Sequence, residues 1–151
     1  MGGTESYGAI RIRIARRSDA SVLAGLCTQL GYPSTPGEVA ERLESIFGHP
    51  DHVVLVAELD SGAVAGFLHG FCGVVLETGE RAEIVGLVAD SGHRGQGVGK
   101  SLVAEAERWA RSKGHRTLHV RCNVVRTAAH AFYEGLGFAL VKTQKNFQKK
   151  I

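Results

Sequence analysis

A chain of 151 residues, 44% hydrophobic and 22% charged, is long enough for one domain with its own core and excludes a disordered polypeptide. A net charge of +3 is too mild to call for nucleic acid, and no run approaches the ~18 apolar residues of a membrane span. The three cysteines (Cys27, Cys72, Cys122) are odd in number and lack metal-ligand spacing, so they read as buried free thiols of a reducing compartment.

The start, Met1 to Ser6, has neither the basic nor the apolar segment of a signal peptide, and a cytoplasmic protein is expected. Gly2 opens a Met-Gly-x-x-x-Ser pattern that few matching chains use for myristate, so residues 1–8 are read as a flexible lead and 9–151 as the domain. Ile10, Ile12 and Ile14 alternate with polar or small residues as in a half-buried strand. Ser18 or Asp19 then caps a helix to about Leu30, ended by Gly31-Tyr32-Pro33, and a second short helix runs from about Thr35 to Gly48. His52 to Glu58 is an apolar strand, and Ala63 to Leu76 returns after Asp60-Ser61-Gly62. In that second strand Gly66, Gly70 and Gly73 predict a bulge or bend. Arg81 to Ala89 is a further strand and Val98 to Lys113 a helix. A strand over 117–122, a helix over 127–136 and a final extended hairpin or strand pair over 138–151 complete the order. The lysines of that last stretch (Lys142, Lys145, Lys149, Lys150) are spread as on a solvated edge. The fold class is α/β, with a single mixed sheet.

Chemistry concentrates after the strand Ile84 to Ala89, in Arg94-Gly95-Gln96-Gly97-Val98-Gly99-Lys100. A glycine turn feeding a helix start presents unpaired N–H groups and a positive dipole end to an anion, and Arg94 and Lys100 add cations. A bare tight turn is the plainer alternative. The nucleoside-triphosphate loop fails because Arg94 stands where its first glycine belongs, and the last glycine comes one residue early for a dinucleotide fingerprint.

The pattern Arg-x-x-Gly-x-Gly resembles the pyrophosphate-binding motif of the GCN5-related N-acetyltransferase (GNAT) superfamily. The likeness spans Ile10 to about Ile151 and includes a second signature, Asn123, Ala129, Phe132-Tyr133-Glu134 and Gly137-Phe138. It implies a mostly antiparallel sheet with a splayed parallel strand pair, flanking helices, and transfer of acetyl from acetyl-CoA by direct attack of an acceptor amine, without a metal. By the same resemblance Leu87, Val88 and Ala89 bind the pantetheine arm, the Leu87 N–H polarises the thioester carbonyl, and Arg94 to Lys100 (Arg94, Gly95, Gln96, Gly97, Val98, Gly99, Lys100) hold the pyrophosphate. Asn123, Ala129 and Phe132 join the coenzyme site, though Asn123 precedes Tyr133 by about three residues more than is common in the family.

By the same resemblance Tyr133, in Phe-Tyr-Glu-Gly-Leu-Gly-Phe, is the candidate acid for the departing sulfur, against its reading as a core aromatic. Glu83 is the candidate base because Ala82-Glu83-Ile84-Val85 resembles the strand that carries the catalytic glutamate in histone acetyltransferases of this superfamily. It shares a strand face with Val85 and Leu87 if no bulge intervenes, and the plainer reading is one of several charges at a strand entrance. Cys122 reads as a strand thiol. A small-molecule or protein amine is the expected partner, with neither nucleic acid nor membrane, and a homodimer the expected assembly. A coenzyme-A-binding sensor or scaffold without activity is the alternative.

Overall fold

A computed structural model describes residues 9–151; the lead over residues 1–8, Gly2 included, lies outside the described residues. Two compact units divide the chain, one up to Val120 and one over Arg121–Ile151. The first holds a five-stranded sheet in the order β1 (Arg11–Ile14), β2 (His52–Glu58), β3 (Val64–Val75), β4 (Gly79–Ala89), β5 (Leu118–Val120). The first four strands pair antiparallel and β5 runs parallel to β4. The helices are α1 (Ala20–Leu30), α2 (Pro36–Phe47) and α3 (Val98–Ser112). This is the mixed sheet that the element order predicts.

Local chemistry sets the helix ends. Thr35 accepts the Glu38 N–H while Glu38 accepts that of Thr35, a reciprocal cap with Pro36 in the first helical position. Gly31, at φ 101°, closes α1 with the Tyr32 N–H returning to the Cys27 carbonyl. At the start of α1 the expectation needs amending. Asp19 stands at the cap, but its carboxylate turns back to the Arg16 N–H at 2.7 Å and to both terminal nitrogens of Arg13 at 2.8 and 2.9 Å. Arg13 also donates from Nε to Glu58 at 2.6 Å. In β1 it is therefore Arg13 that is drawn in, while Ile14 is left 64% exposed.

The strand pleat sorts the core into two layers. Leu23, Leu26, Val39 and Leu43 of α1 and α2 pack on Val54, Val56, Phe67 and Val88. On the other face lie Cys72 and Ala82, against Trp109 and Ala110 of α3, with Leu118 beside them. Fully burying a Leu or Val contributes about 1.5–3 kcal/mol, so side chains such as Leu68, Ile84 and Leu102 anchor the sheet and α3.

Two bulges interrupt the ladders. In β3 the extra residue is Ala65, between Val64↔Glu58 and Gly66↔Ala57, next to the first of the three glycines. Gly70 and Gly73 have other reasons: a Cβ at Gly70 would stand 3.1 Å from the Trp109 ring, and one at Gly73 would stand 2.8 Å from the Phe71 ring. The second bulge is in β4, where Ile84 pairs with Gly70 and Gly86 with His69, so that Val85 has no opposite number.

The second unit contains α4 (Thr127–Gly135). The strand pair expected over 138–151 is corrected: no strand forms there, and every residue from Ala139 to Ile151 is exposed. A strand needs a ladder partner for its backbone groups. Among the described residues this stretch has none, although Leu140, Val141, Phe147 and Ile151 supply apolar side chains. The cysteines carry no disulfide; Cys72 is buried, whereas Cys27 and Cys122 are only partly so.

Candidate active site

The ladder between β4 and β5 is short. It runs Ala82↔Leu118, Glu83↔His119, Ile84↔Val120 and stops, while β4 continues to Ala89. Beyond Ile84 the outer edge of β4 is thus released from β5, and Val85 bulges at the point of release. The Leu87, Val88 and Ala89 backbone follows, still laddered to β3 through Leu68, Phe67 and Gly66.

The bulge answers the condition attached to Glu83. Because one extra residue inverts the alternation, Glu83 shares the face of Phe71, whereas Leu87 shares that of Leu68, on the opposite side. Glu83 and Leu87 therefore do not lie on one strand face. The Glu83 side chain is buried, with 7% of the residue exposed, and the Arg81 guanidinium lies 4.0 Å away.

After β4 the chain turns through Asp90, a hub that sequence reasoning missed. Its carboxylate accepts from Gln29 Nε2 at 2.7 Å and from the Gly92 N–H at 3.1 Å, and pairs with His93 Nδ1 at 2.9 Å. These bonds hold the Asp90 carboxyl below the usual range, the Gln29 bond contributing most. Gln29 Oε1 in turn accepts the Ser91 N–H at 2.9 Å, so the end of α1 grips the loop that leads into the glycine turn. A helix-terminal glutamine gives no sequence signal of such a grip.

Gly95 and Gly97 adopt φ of 76° and 83°, the left-handed region that favours glycine. A Cβ at either would meet nothing within 4 Å, so it is backbone conformation and not crowding that selects glycine here. Gly97 is the N-cap of α3, no side chain caps this end, and the first helical bond is Ser101 N–H to Gly97 carbonyl at 2.9 Å. The preceding N–H groups consequently point out of the helix end. Arg94 and Lys100 are exposed on either side. This donor set and its charge suit an anion. Gly66 makes the arrangement possible: a Cβ there would stand 2.7 Å from the Val88 carbonyl oxygen and 2.7 Å from Val98 Cγ1, where α3 begins.

The other predicted residues belong to the second unit. Asn123 shapes its turn, its side-chain oxygen accepting from the Val125 N–H at 3.1 Å and its carbonyl accepting from the Arg126 N–H at 3.0 Å and pairing with His130 Nε2 at 2.8 Å. Ala129, Phe132 and Tyr133 lie on α4. The Tyr133 ring meets Phe132 and Phe138 edge-on, at centroid distances of 5.2 and 5.6 Å. Burial, with a smaller contribution from Cys122, pushes its phenol up to about 12, so it stays protonated at neutral pH.

Comparison with known proteins decides the family. The model of the acetyltransferase (GNAT) family matches residues 20–138, most of the chain. The chain belongs to the GNAT acetyltransferase family. Among curated proteins it is 29% identical over 93 residues to an uncharacterised N-acetyltransferase of Methanocaldococcus jannaschii, a match covering 60% of this chain. The match spans 41% of the length of that relative. Of solved structures, glucosamine-6-phosphate N-acetyltransferase from Arabidopsis thaliana has a TM-score of 0.80 at 25% identity, over 94% of this chain and 99% of that one. The aminoglycoside N-acetyltransferase AAC(6')-Iy in complex with CoA has a TM-score of 0.85 at 20% identity, over 98% and 99%. A transcriptional regulator from Bacillus halodurans reaches 0.84 at 23%, over 93% and 100%. The last two likenesses establish a shared fold. No described helix is long and apolar enough to cross a membrane, and no three or more His, Cys, Asp or Glu among the described residues could hold a metal ion.

Proposed function

We propose that the protein is an N-acetyltransferase that transfers acetyl from acetyl-CoA to an amine. The observation that carries this reading is the succession of three features along one stretch of chain: the β4 edge freed from β5, the glycine turn, and the uncapped start of α3. Family membership and the likeness to glucosamine-6-phosphate and aminoglycoside acetyltransferases support the same reaction class.

The N–H groups at the start of α3, with Arg94 and Lys100, hold the pyrophosphate, and the freed Leu87 to Ala89 backbone binds the pantetheine arm. Acetyl-CoA, when bound, supplies an activated thioester. The Leu87 N–H stabilises negative charge on its carbonyl oxygen as the acceptor nitrogen attacks. An attacking amine must first be neutral, which calls for a base, and Glu83, buried beside the end of the β4–β5 ladder, is the residue we assign to that side of the reaction. Tyr133 serves the leaving group. Its protonated phenol donates a hydrogen bond to the departing sulfur and completes proton delivery as charge accumulates there. Because transfer is direct, no enzyme nucleophile is needed; Cys122, read from the sequence as a strand thiol, lies beyond the end of β5 and is only partly buried.

Thiol release from acetyl-CoA, measured with neamine, glucosamine-6-phosphate, spermidine, free lysine and a lysine-containing peptide, tests the reading. Release with at least one amine is expected. Gly97→Leu, which places a side chain at φ 83°, is expected to lose coenzyme binding while keeping the fold. Coenzyme binding without turnover of any amine would instead favour a sensor. Undiminished binding by the variant would remove the cradle.

A further inference from the structure

The register of the sheet assembles a row of side chains that single strands conceal. His52 lies opposite Phe71, Phe71 opposite Glu83, and Glu83 beside His119. Residues in register project from the same face of a sheet. Their sequence neighbours Ala82 and Leu118 pack against Trp109 on the α3 face, so Glu83 and His119 project from the other face. One rung further on, at Ile84↔Val120, the ladder ends and Val85 bulges. A carboxylate and an imidazole thus sit side by side on adjacent strands, one rung before β4 is released. Glu83 is buried and His119 half-buried.

Of these two side-chain types, imidazole has the ordinary proton affinity suited to removing a proton near neutral pH, and a carboxylate beside it stabilises the imidazolium that forms. Cationic and titratable neighbours surround the pair. Arg81 lies on β4 two residues before Glu83, and His52 and His69 come from β2 and β3 on the same face. Of the helices packed on this face, α1 carries no acidic or basic side chain, and α2 carries Glu38, Glu41, Arg42 and Glu44, all exposed.

We propose that His119 is the catalytic base of the acetyl transfer, taking the proton of the acceptor ammonium, with the Glu83 carboxylate holding the resulting imidazolium. This rests on the acetyltransferase reading and refines it, since Glu83 then acts through His119. The ammonium N–H bond breaks as the proton passes to the imidazole, and the freed lone pair forms the new C–N bond. The C–S bond breaks with its electron pair going to sulfur, which takes the Tyr133 proton. The nitrogen then loses a second proton, which replaces the one Tyr133 gave. The proton on His119 leaves to water. One amide, one thiol and one released proton balance the step.

The test is the pH dependence of kcat/KM, measured with the best acceptor of the amine panel, for the parent protein, His119→Gln, His119→Ala with added imidazole, and Glu83→Gln. His119→Gln should lower kcat about 100-fold or more and abolish the acid limb, with coenzyme A affinity within about threefold. Imidazole should restore part of the rate of His119→Ala. Glu83→Gln should keep the limb but move it to lower pH, because an imidazole that loses a neighbouring carboxylate holds its proton less tightly. An acid limb that persists in His119→Gln, or stays in place in Glu83→Gln, would overturn the pair while leaving an active parent enzyme. A purely structural His119 would show as a lower Tm and weaker coenzyme binding with the limb intact, and this too overturns it. A parent protein that turns over no amine removes the acetyltransferase reading itself, and the pair with it.

Discussion

Two residues show how environment selects a role. Tyr133 and Asp90 are both shifted from their ordinary titration, in opposite senses and for opposite reasons. Burial among Phe132 and Phe138 makes the phenolate costly, so the Tyr133 proton is retained; three hydrogen bonds make the Asp90 carboxylate favourable, so its proton is lost. Tyr133→Phe keeps both edge-on ring contacts and removes only the hydroxyl. It should therefore lower kcat about 10- to 100-fold with coenzyme A affinity changed by no more than about twofold. An unchanged kcat under single-turnover conditions would take the leaving-group role from Tyr133. The Tyr133 motif was legible in the sequence. The Gln29–Asp90 grip was not, because residues 61 positions apart have no local pattern in common.

At the scale of elements, the strands, helices and turns of the first unit follow from periodicity and caps, but the bulges do not. Three glycines in β3 signal irregularity without saying which strand takes the extra residue, and only pairing reveals Ala65 in β3 and Val85 in β4. The consequence is large. The Val85 bulge separates the face of Glu83 from that of Leu87, so a straight alternation read from the sequence assigns them wrongly to one side. Gly66 has an equally specific task, since the Val88 carbonyl and Val98 close over the place where a Cβ would stand. Gly66→Ala should destabilise the protein by about 1–3 kcal/mol by overpacking and weaken coenzyme binding through displacement of the α3 start. Urea unfolding and coenzyme titration check both, and a variant as stable as the parent would show that the contact relaxes freely.

For the molecule as a whole, stability should fall in acid in two stages. Burial and the proximity of His52 push the His69 imidazole down to about 4, against about 6.5 when unfolded. Between those values the unfolded chain binds the extra proton, so stability is full above about pH 6.5 and declines as the pH falls towards 4. The Asp19 carboxyl, held low chiefly by Arg13, contributes stability that is complete above the ordinary carboxylate range and lost as the pH falls through its folded value. Urea midpoints measured from pH 8 to pH 3 should therefore drop first near neutrality and again below about pH 4, with His69→Gln flattening only the first drop. The amino-acid sequence by itself determined the element order, the glycine turn and the family's motifs, because each depends on residues adjacent or at helical and strand spacing. It misjudged the stretch after Phe138, where strand-like composition finds no ladder partner among the described residues. Tertiary structure alone decided which side chains face one another: Arg13 with Asp19 and Glu58, Gln29 with Asp90, and His119 with Glu83. Those pairings come from strand register and helix docking, which join residues remote in the chain and leave no mark in any local stretch of it.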